Sequence, residues 1–472
     1  MKMFLQGEWR AKAETIEVKN PYDGSVIDTV PQGTAEDVDA AVTGAVEGAK
    51  LMRALSAHER WKILRRVGDL LLERQDEFAR TISTEEGKIL AEGQIEAGRA
   101  AEIFQLSASE AKRLYGEVLP LDASPGGEGR LGFTLRVPCG VVGAICPFNF
   151  PLHLVAHKVG PALAAGNAVV LKPASDTPLS SLKLIALLIE AGIPPLAVSC
   201  VTGSGAEVGV PLCADKRVRK ISFTGSYEVG EAISKAAGMK RVTMELGSNS
   251  PLVILDDADL EKVADATVAT GYANAGQVCI STQRVLAAEN IYEDFLTVLK
   301  PKVEAIAAGD QLLDGTRMGP VVRESDARRV EEWIQEAVDQ GARLVAGGER
   351  TGSLVQATVL ADVVPEMRIA SQELFGPAVV VRSFTNIDEA IQQANDTEFG
   401  LSAGIFTQDI DRALRFAREV ESGNIHINWG PQWRADLMPY GGLKNSGHGK
   451  EGPRYAIEEM TEIKTVVVHS GR

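Results

Sequence analysis

The sequence predicts an α/β fold, and three observations carry that expectation. From residue 140, short apolar runs alternate with helical patterns: GVVGAICP, LHLVAHKVGPALAAG, NAVVLKP, then TPLSSLKLIALLIEAG, which stops at Gly192. Strands separated in this way pair in parallel, because parallel neighbours need long crossovers. A second alternation begins at SPLVILDD (250–257) and runs to about 425, which places a domain boundary near 246. Finally, 472 residues exceed what one hydrophobic core serves, so two or three domains are expected.

In chain order, a short extended start gives way to a helix over 34–54. It opens at Thr34 with Glu36 and Asp37 in its first turn, where the helix dipole favours acids. A second helix opens at Ser56-Ala-His-Glu59, a capping-box spacing, and continues with Trp61, Leu64, Val67 and Leu71 on one face. LAVSCVTG, KISFTG and RVTMELG read as further buried strands, with VGEAISKAAG a helix before the last. The second half holds a strand at RVLAAEN, a helix around 293–308 and a strand at 378–384. The tail, EEMTEIKTVVV, ends in a strand-like run with no place in either sheet, and such a strand can pair with another subunit.

Composition excludes several functions. The formal net charge is −15 with no dense Lys/Arg run, which argues against nucleic acid. A local cationic pocket for an anionic substrate remains compatible with that charge. No apolar run approaches the ~20 residues of a membrane helix, and MKMFLQGEWR lacks a signal-peptide core. Five cysteines (139, 146, 200, 213 and 279) without a C-x-x-C pair argue against a disulfide framework or a zinc site. A reducing cytoplasm is expected, and there a free thiolate persists.

Several stretches can carry chemistry. GSGAEVG (203–209) misses the dinucleotide fingerprint, since its third glycine falls at 209 rather than 208. FTGSYEVG offers a strand, Gly225-Ser226 and a helix N-terminus, which suits phosphate. LKPASDTP puts Lys172 at the C-terminal end of a strand, where open α/β sheets bind ligands. In CPFNFP, flanking prolines hold Asn149 in a fixed direction, as an oxyanion donor requires. MELGSNSP ends an apolar strand on Glu245, an acid whose pKa burial would raise. Cys279, in GQVCIS, taken alone reads as a small buried hydrophobe more readily than as a nucleophile.

PFN (147–149), LKPAS (171–175), FTGS (223–226), MELG (244–247), GQVC (276–279), ELFGP (373–377) and MPYGGLKNSGHGKEG (438–452) follow one another in this order. So arranged, the chain resembles the aldehyde dehydrogenase superfamily along nearly its whole length. The resemblance implies a Rossmann-like cofactor domain over 1–115 and 136–245 and an α/β catalytic domain over 246–425. It implies a small β oligomerisation element from 116–135 and 455–472, with 426–454 forming the substrate entrance and C-terminal signature. Cys279 is then the nucleophile, Glu245 the base, and Asn149 with the Cys279 N–H the oxyanion hole. Lys172 and Ser175 lie at the adenosine ribose, Gly225, Ser226 and Gly230 at the pyrophosphate, Glu373 at the nicotinamide ribose and Phe375 near the nicotinamide ring.

The implied reaction oxidises an aldehyde to its acid with NADP or NAD. Ser175 stands where many NAD-preferring members have a Glu that repels a 2′-phosphate, so NADP is expected to be slightly preferred. Glu245 favours hydrolysis over transfer to coenzyme A. His157 and Ala273 stand where succinic semialdehyde dehydrogenases tend to carry Arg. The stretch 427–442 resembles dehydrogenases of small polar aldehydes such as lactaldehyde, glycolaldehyde or glyceraldehyde-type compounds; a semialdehyde or other anionic aldehyde is the alternative. Trp429, Trp433 and Arg434 are candidate substrate contacts, as is His157. A homodimer or homotetramer without metal, nucleic acid or membrane is expected. A cysteine hydrolase would want a His signature near Cys279, and a purely structural member would have lost these residues.

Overall fold

The computed structural model describes residues 1–469; the last three residues, 470–472, at the end of the expected oligomerisation element, lie outside the described residues. Both alternating halves form mixed sheets with parallel centres. In the first, Val198–Cys200, Ala168–Lys172, Val141–Ile145, Val218–Thr224 and Arg241–Glu245 lie side by side in parallel. These strands are almost wholly buried, which is why they read as continuous apolar runs. Antiparallel strands that the sequence pattern did not announce close its edges: Met3–Leu5 with Glu8–Arg10 on one side and Gly447–His448 on the other.

The second sheet has Thr358–Ala361, Ala378–Phe384, Arg284–Ala288, Pro251–Ile254, Ser402–Phe406 and Asn424–Ile427 in parallel, with Arg343–Ala346 antiparallel at one edge. The tail strand, Thr461–His469, joins neither. It pairs within the chain against Arg130–Pro138, which in turn pairs with Val118–Leu119, making a separate three-stranded sheet. Among the described residues no helix is long and apolar enough to cross a membrane.

The first helices form as their caps dictate. Ala35–Ala54 is entered at Thr34, whose backbone N–H is accepted by Asp37 at 2.9 Å. Ala57–Glu73 begins at Ser56 with the reciprocal pair expected: Glu59 N–H donates to Ser56 Oγ, and Glu59 Oε2 accepts from Ser56 N–H. Of two further helices, Gln75–Glu86 packs against Leu90–Ala111, which in turn packs against the wholly buried helix His153–Ala164. Leu179–Ala191 stops at Gly192 in the left-handed region, as its sequence requires.

The topology decides where the site sits. The parallel strands of the first sheet end on Ile145, Lys172, Thr224 and Glu245 along one edge. The strands of the second sheet begin near Pro251, Arg284 and Ala378. Loops at these two edges meet, and the candidate residues lie between them.

Candidate active site

Cys279 lies in the loop between the helix Leu260–Gly271 and the strand Arg284–Ala288. Immediately before it, Asn274 and Ala275 hold φ of 50° and 52°, left-handed backbone that non-glycine residues adopt at a cost. What over-determines it is a buried polar lattice. Asn274 Nδ2 donates to Glu86 Oε1 (2.9 Å) and to the carbonyl of Asn149 (3.1 Å), while its N–H donates to Glu92. Lys88 Nζ donates to the same Asn149 carbonyl at 2.7 Å and to Glu96 at 2.6 Å. Glu96 also accepts the N–H groups of Leu152 and His153. Asn149 is thus fixed from the helical layer beneath it, as well as by its neighbouring prolines.

Asn149 reaches across to the nucleophile loop: its Nδ2 donates to Gln277 O at 2.8 Å. An amide nitrogen carries two hydrogens, so one remains for an oxyanion. Cys279 Sγ lies 3.2 Å from Tyr440 Oη. Burial pushes the thiol up to about 12; the Tyr440 hydroxyl offsets this, while Glu373 and Glu245 add to it. The other four cysteines are free as well, with thiols that burial pushes up.

Glu245, 2% exposed, has among the described residues no hydrogen-bond partner at either carboxylate oxygen. Burial, reinforced by nearby Glu451, raises its pKa well above the usual carboxylate range. Its strand is pinned by the C-terminal signature, since Gly447–His448 pairs with Met244 and Glu245. A side chain at Gly447 would strike Met244 O, and φ there is +121°. At Gly441, also at positive φ, a Cβ would lie 2.8 Å from Glu245 Oε1. The two glycines let this segment close over Glu245 while leaving room beside its carboxylate.

Behind Glu245 lies a charge cluster that the sequence reading missed apart from Arg434 and His157. Glu451 accepts Lys158 Nζ at 2.9 Å and Arg434 Nη1 at 3.0 Å. Burial alone would raise the Glu451 pKa, but Lys158 and Arg434 outweigh it and hold the carboxylate ionised. Arg434 Nη2 donates to His157 Nδ1 at 3.1 Å, its guanidinium lies 4.0 Å above the Tyr440 ring, and its buried Nε has no partner among the described residues. His157 Nε2 and His153 Nε2 lie 3.2 and 2.9 Å from Asp436 Oδ1, and Arg99 grips both oxygens of Asp436.

His153, His157 and Asp436 bring ligand-type atoms within 4.8 Å of one another. Two guanidinium groups already lie on this trio, however, so it reads as an anchor for Arg434 rather than a cation site. Burial, then Arg434, lowers the His157 pKa to about 4, so its ring is neutral and can accept from Arg434. With both ring nitrogens engaged, His157 stands behind Arg434 rather than on open space. His153 and His157 share a face because they are one helical turn apart, a spacing visible in LHLVAHK. Trp429 and Trp433 are 40% and 54% exposed.

The expected cofactor residues gather at the facing edges. Lys172 Nζ donates to Pro173 O, and Ser175 Oγ to Gly203 O. Ser226 caps the eleven-residue helix Tyr227–Ala237. At Gly225 and Gly230 the space for a side chain is filled by the outer atoms of Phe223 and Leu246, which would have to move aside for one. Glu373, raised to about 7 by burial, accepts Ser248 N–H at 2.9 Å, and a Cβ at Gly247 would strike it. Phe375, at φ 51°, meets Phe148 edge-on at 5.8 Å. GSGAEVG folds into a tight turn, Gly205–Gly209, that leads into the short helix Val210–Ala214.

The sequence model of the Aldehyde dehydrogenase family matches residues 9–466. A 3-sulfolactaldehyde dehydrogenase of Priestia aryabhattai is 46% identical, covering 99% of this chain and 98% of its own. A lactaldehyde dehydrogenase of Methanococcus vannielii is 39% identical, covering 99% and 100%. The crystal structure of a glyceraldehyde-3-phosphate dehydrogenase from Methanocaldococcus jannaschii, complexed with NADP, superposes with a TM-score of 0.93 at 37% identity, covering 97% and 100%. Fold, ordered motifs and relatives therefore agree: this chain belongs to the aldehyde dehydrogenase family.

Proposed function

We propose that the protein oxidises a short polar aldehyde, carrying a hydroxyl or an anionic group, to its carboxylic acid with NAD(P). The single observation that carries the polar substrate is Arg434. Its guanidinium is buried, retains an unpartnered Nε, and rests on the tyrosine that touches Cys279. Around it Arg99, Lys158 and Arg434 face only two carboxylates held ionised, Asp436 and Glu451, leaving one positive charge in excess. On a protein of net charge −15, that local excess selects an anionic or strongly hydrogen-bonding substrate. The sulfonate-bearing and hydroxylated aldehydes named for two relatives are of this kind.

The residues present fit a nicotinamide dinucleotide. Glu373 is a buried carboxylate with accepting capacity beyond Ser248, which suits a ribose diol. Lys172 is a buried ammonium with spare donors, and no carboxylate stands at Ser175. The adjacent Asp176 is neutralised by Arg323 across the cleft. A 2′-phosphate is therefore admitted, and we propose that NADP is accepted and preferred.

In the reaction, Cys279 attacks the carbonyl carbon as its thiolate, and the free Asn149 N–H with the Cys279 N–H receives the developing oxyanion. Nicotinamide, when bound, supplies the hydride acceptor. Glu245, as its carboxylate, then takes a proton from the water that releases the acid from the Cys279 thioester.

The test is a panel of 3-sulfolactaldehyde, lactaldehyde, glycolaldehyde, succinic semialdehyde and hexanal against NAD and NADP, followed by cofactor reduction. The short polar aldehydes should outrun hexanal, with higher kcat/KM on NADP. Arg434→Gln should raise KM for anionic aldehydes about tenfold more than for glycolaldehyde, the worth of a charged hydrogen bond. Equal losses on both would remove Arg434 as the anion receptor, and equal or better efficiency with NAD would overturn the cofactor preference.

A further inference from the structure

Tyr440 belongs to the C-terminal signature, yet its hydroxyl points at the nucleophile. Oη lies 3.2 Å from Cys279 Sγ, and among the described residues it has no other hydrogen-bond partner. The residue is 3% exposed and packs with Val278, Ile280 and Leu401. Its backbone is clamped to Glu451 in both directions: Tyr440 N–H donates to Glu451 O, and Glu451 N–H donates to Tyr440 O at 2.7 Å. The Arg434 guanidinium covers the ring face at 4.0 Å. A cation there draws on the π density and makes the phenol a stronger donor.

We propose that Tyr440 is a further catalytic residue, whose hydroxyl donates a hydrogen bond to the Cys279 thiolate and holds it for attack on the aldehyde. The inference rests on Cys279 being the nucleophile. The thiol proton is released to solvent water, and the phenol keeps its own proton throughout. As the S–C bond forms, the sulfur lone pair is used and the bond from Tyr440 weakens. Burial strongly disfavours the phenolate, as do the neighbouring Cys279 and Glu245, so once the sulfur is ionised only the tyrosine can donate. The charges facing the sulfur are mixed: Glu373 and Glu245 oppose the thiolate, Arg434 favours it, and Lys158 with Glu451 stands one step behind. A directed donor is what this site needs to hold a thiolate at all.

The test is Tyr440→Phe in the full chain, which removes the hydroxyl and keeps the ring beneath Arg434. Iodoacetamide alkylation of Cys279 is followed from about pH 6 to about pH 10, with Cys279→Ser identifying the labelled site. The expected result is an alkaline shift of the profile and an alkylation rate about tenfold lower at fixed pH, the worth of one hydrogen bond. Steady-state kcat/KM should fall by a similar factor for every aldehyde, with KM for the dinucleotide unchanged. Superposable alkylation profiles overturn the proposal. Should the phenylalanine variant misfold, difluorotyrosine installed at position 440, a more acidic phenol, should shift the profile the opposite way; no shift also overturns it. If Cys279→Ser retains full turnover, the nucleophile assignment fails instead, and Tyr440 with it.

Discussion

Glu245 and Cys279 both favour their neutral forms in the resting protein, because burial removes the water that would solvate either charge. Each must give up its proton to act, the thiol before attack and the carboxyl before hydrolysis. The two residues are separable by kinetics. Glu245→Gln should leave the first turnover largely intact and slow thioester hydrolysis on the order of a hundredfold or more. Stopped-flow should therefore show a stoichiometric burst of reduced dinucleotide followed by almost no steady state. A loss of the burst itself would mean that Glu245 acts before the thioester forms. Each of the two residues is readable in the sequence as a single letter in a motif; their shared burial is not.

Among the elements, the helices Gln75–Glu86 and Leu90–Ala111 do more than cover a sheet. Lys88, just past the first, and Glu96, within the second, have side chains with no exposed surface. Together they hold the carbonyl of Asn149 and the backbone of Leu152 and His153. Removing one partner leaves the other buried and uncompensated. Glu96→Ala should cost about 3–5 kcal/mol, read as a lower urea midpoint, and should lower kcat more than it raises KM because Asn149 loses its footing. A variant as stable as the parent would show that Lys88 finds another partner. Nothing in the stretch EEGKILAEGQIEAG (85–98) reveals this role, since acids on a helix ordinarily face water; only packing shows that Glu85, Glu86 and Glu96 point inward.

For the whole molecule, buried carboxyls and buried imidazoles pull stability in opposite directions with pH. Burial raises Glu85 and Glu373 to about 7 and Glu86 to about 8, above their unfolded values near 4.5. Between those limits the folded state binds more protons than the unfolded one, so these groups make stability fall as pH rises. His153 and His157 are shifted the other way, the latter to about 4, so they cost stability only as pH drops below about 6.5. From about pH 6.5 to about pH 8 the carboxyls act alone, and the urea midpoint should fall across that window. Glu86→Gln, which cannot ionise, should flatten the slope; an unchanged slope would mean that Glu86 is not the group titrating there.

The sequence by itself determined the α/β class, the two alternating halves, the caps at Thr34 and Ser56 and the stop at Gly192, because these follow from local spacing and cap chemistry. It also identified the family, through motifs whose order survives without any knowledge of distance. Only the tertiary structure decided that the tail strand pairs with Arg130–Pro138 in its own chain, since a strand's partner is a long-range choice. Only the structure joined Arg434, His157 and Asp436, residues up to 279 positions apart, and gave both ring nitrogens of His157 partners. It likewise set the Tyr440 hydroxyl against Cys279, 161 positions away. Local patterns fix elements; electrostatic neighbours come from packing, which no window of sequence contains.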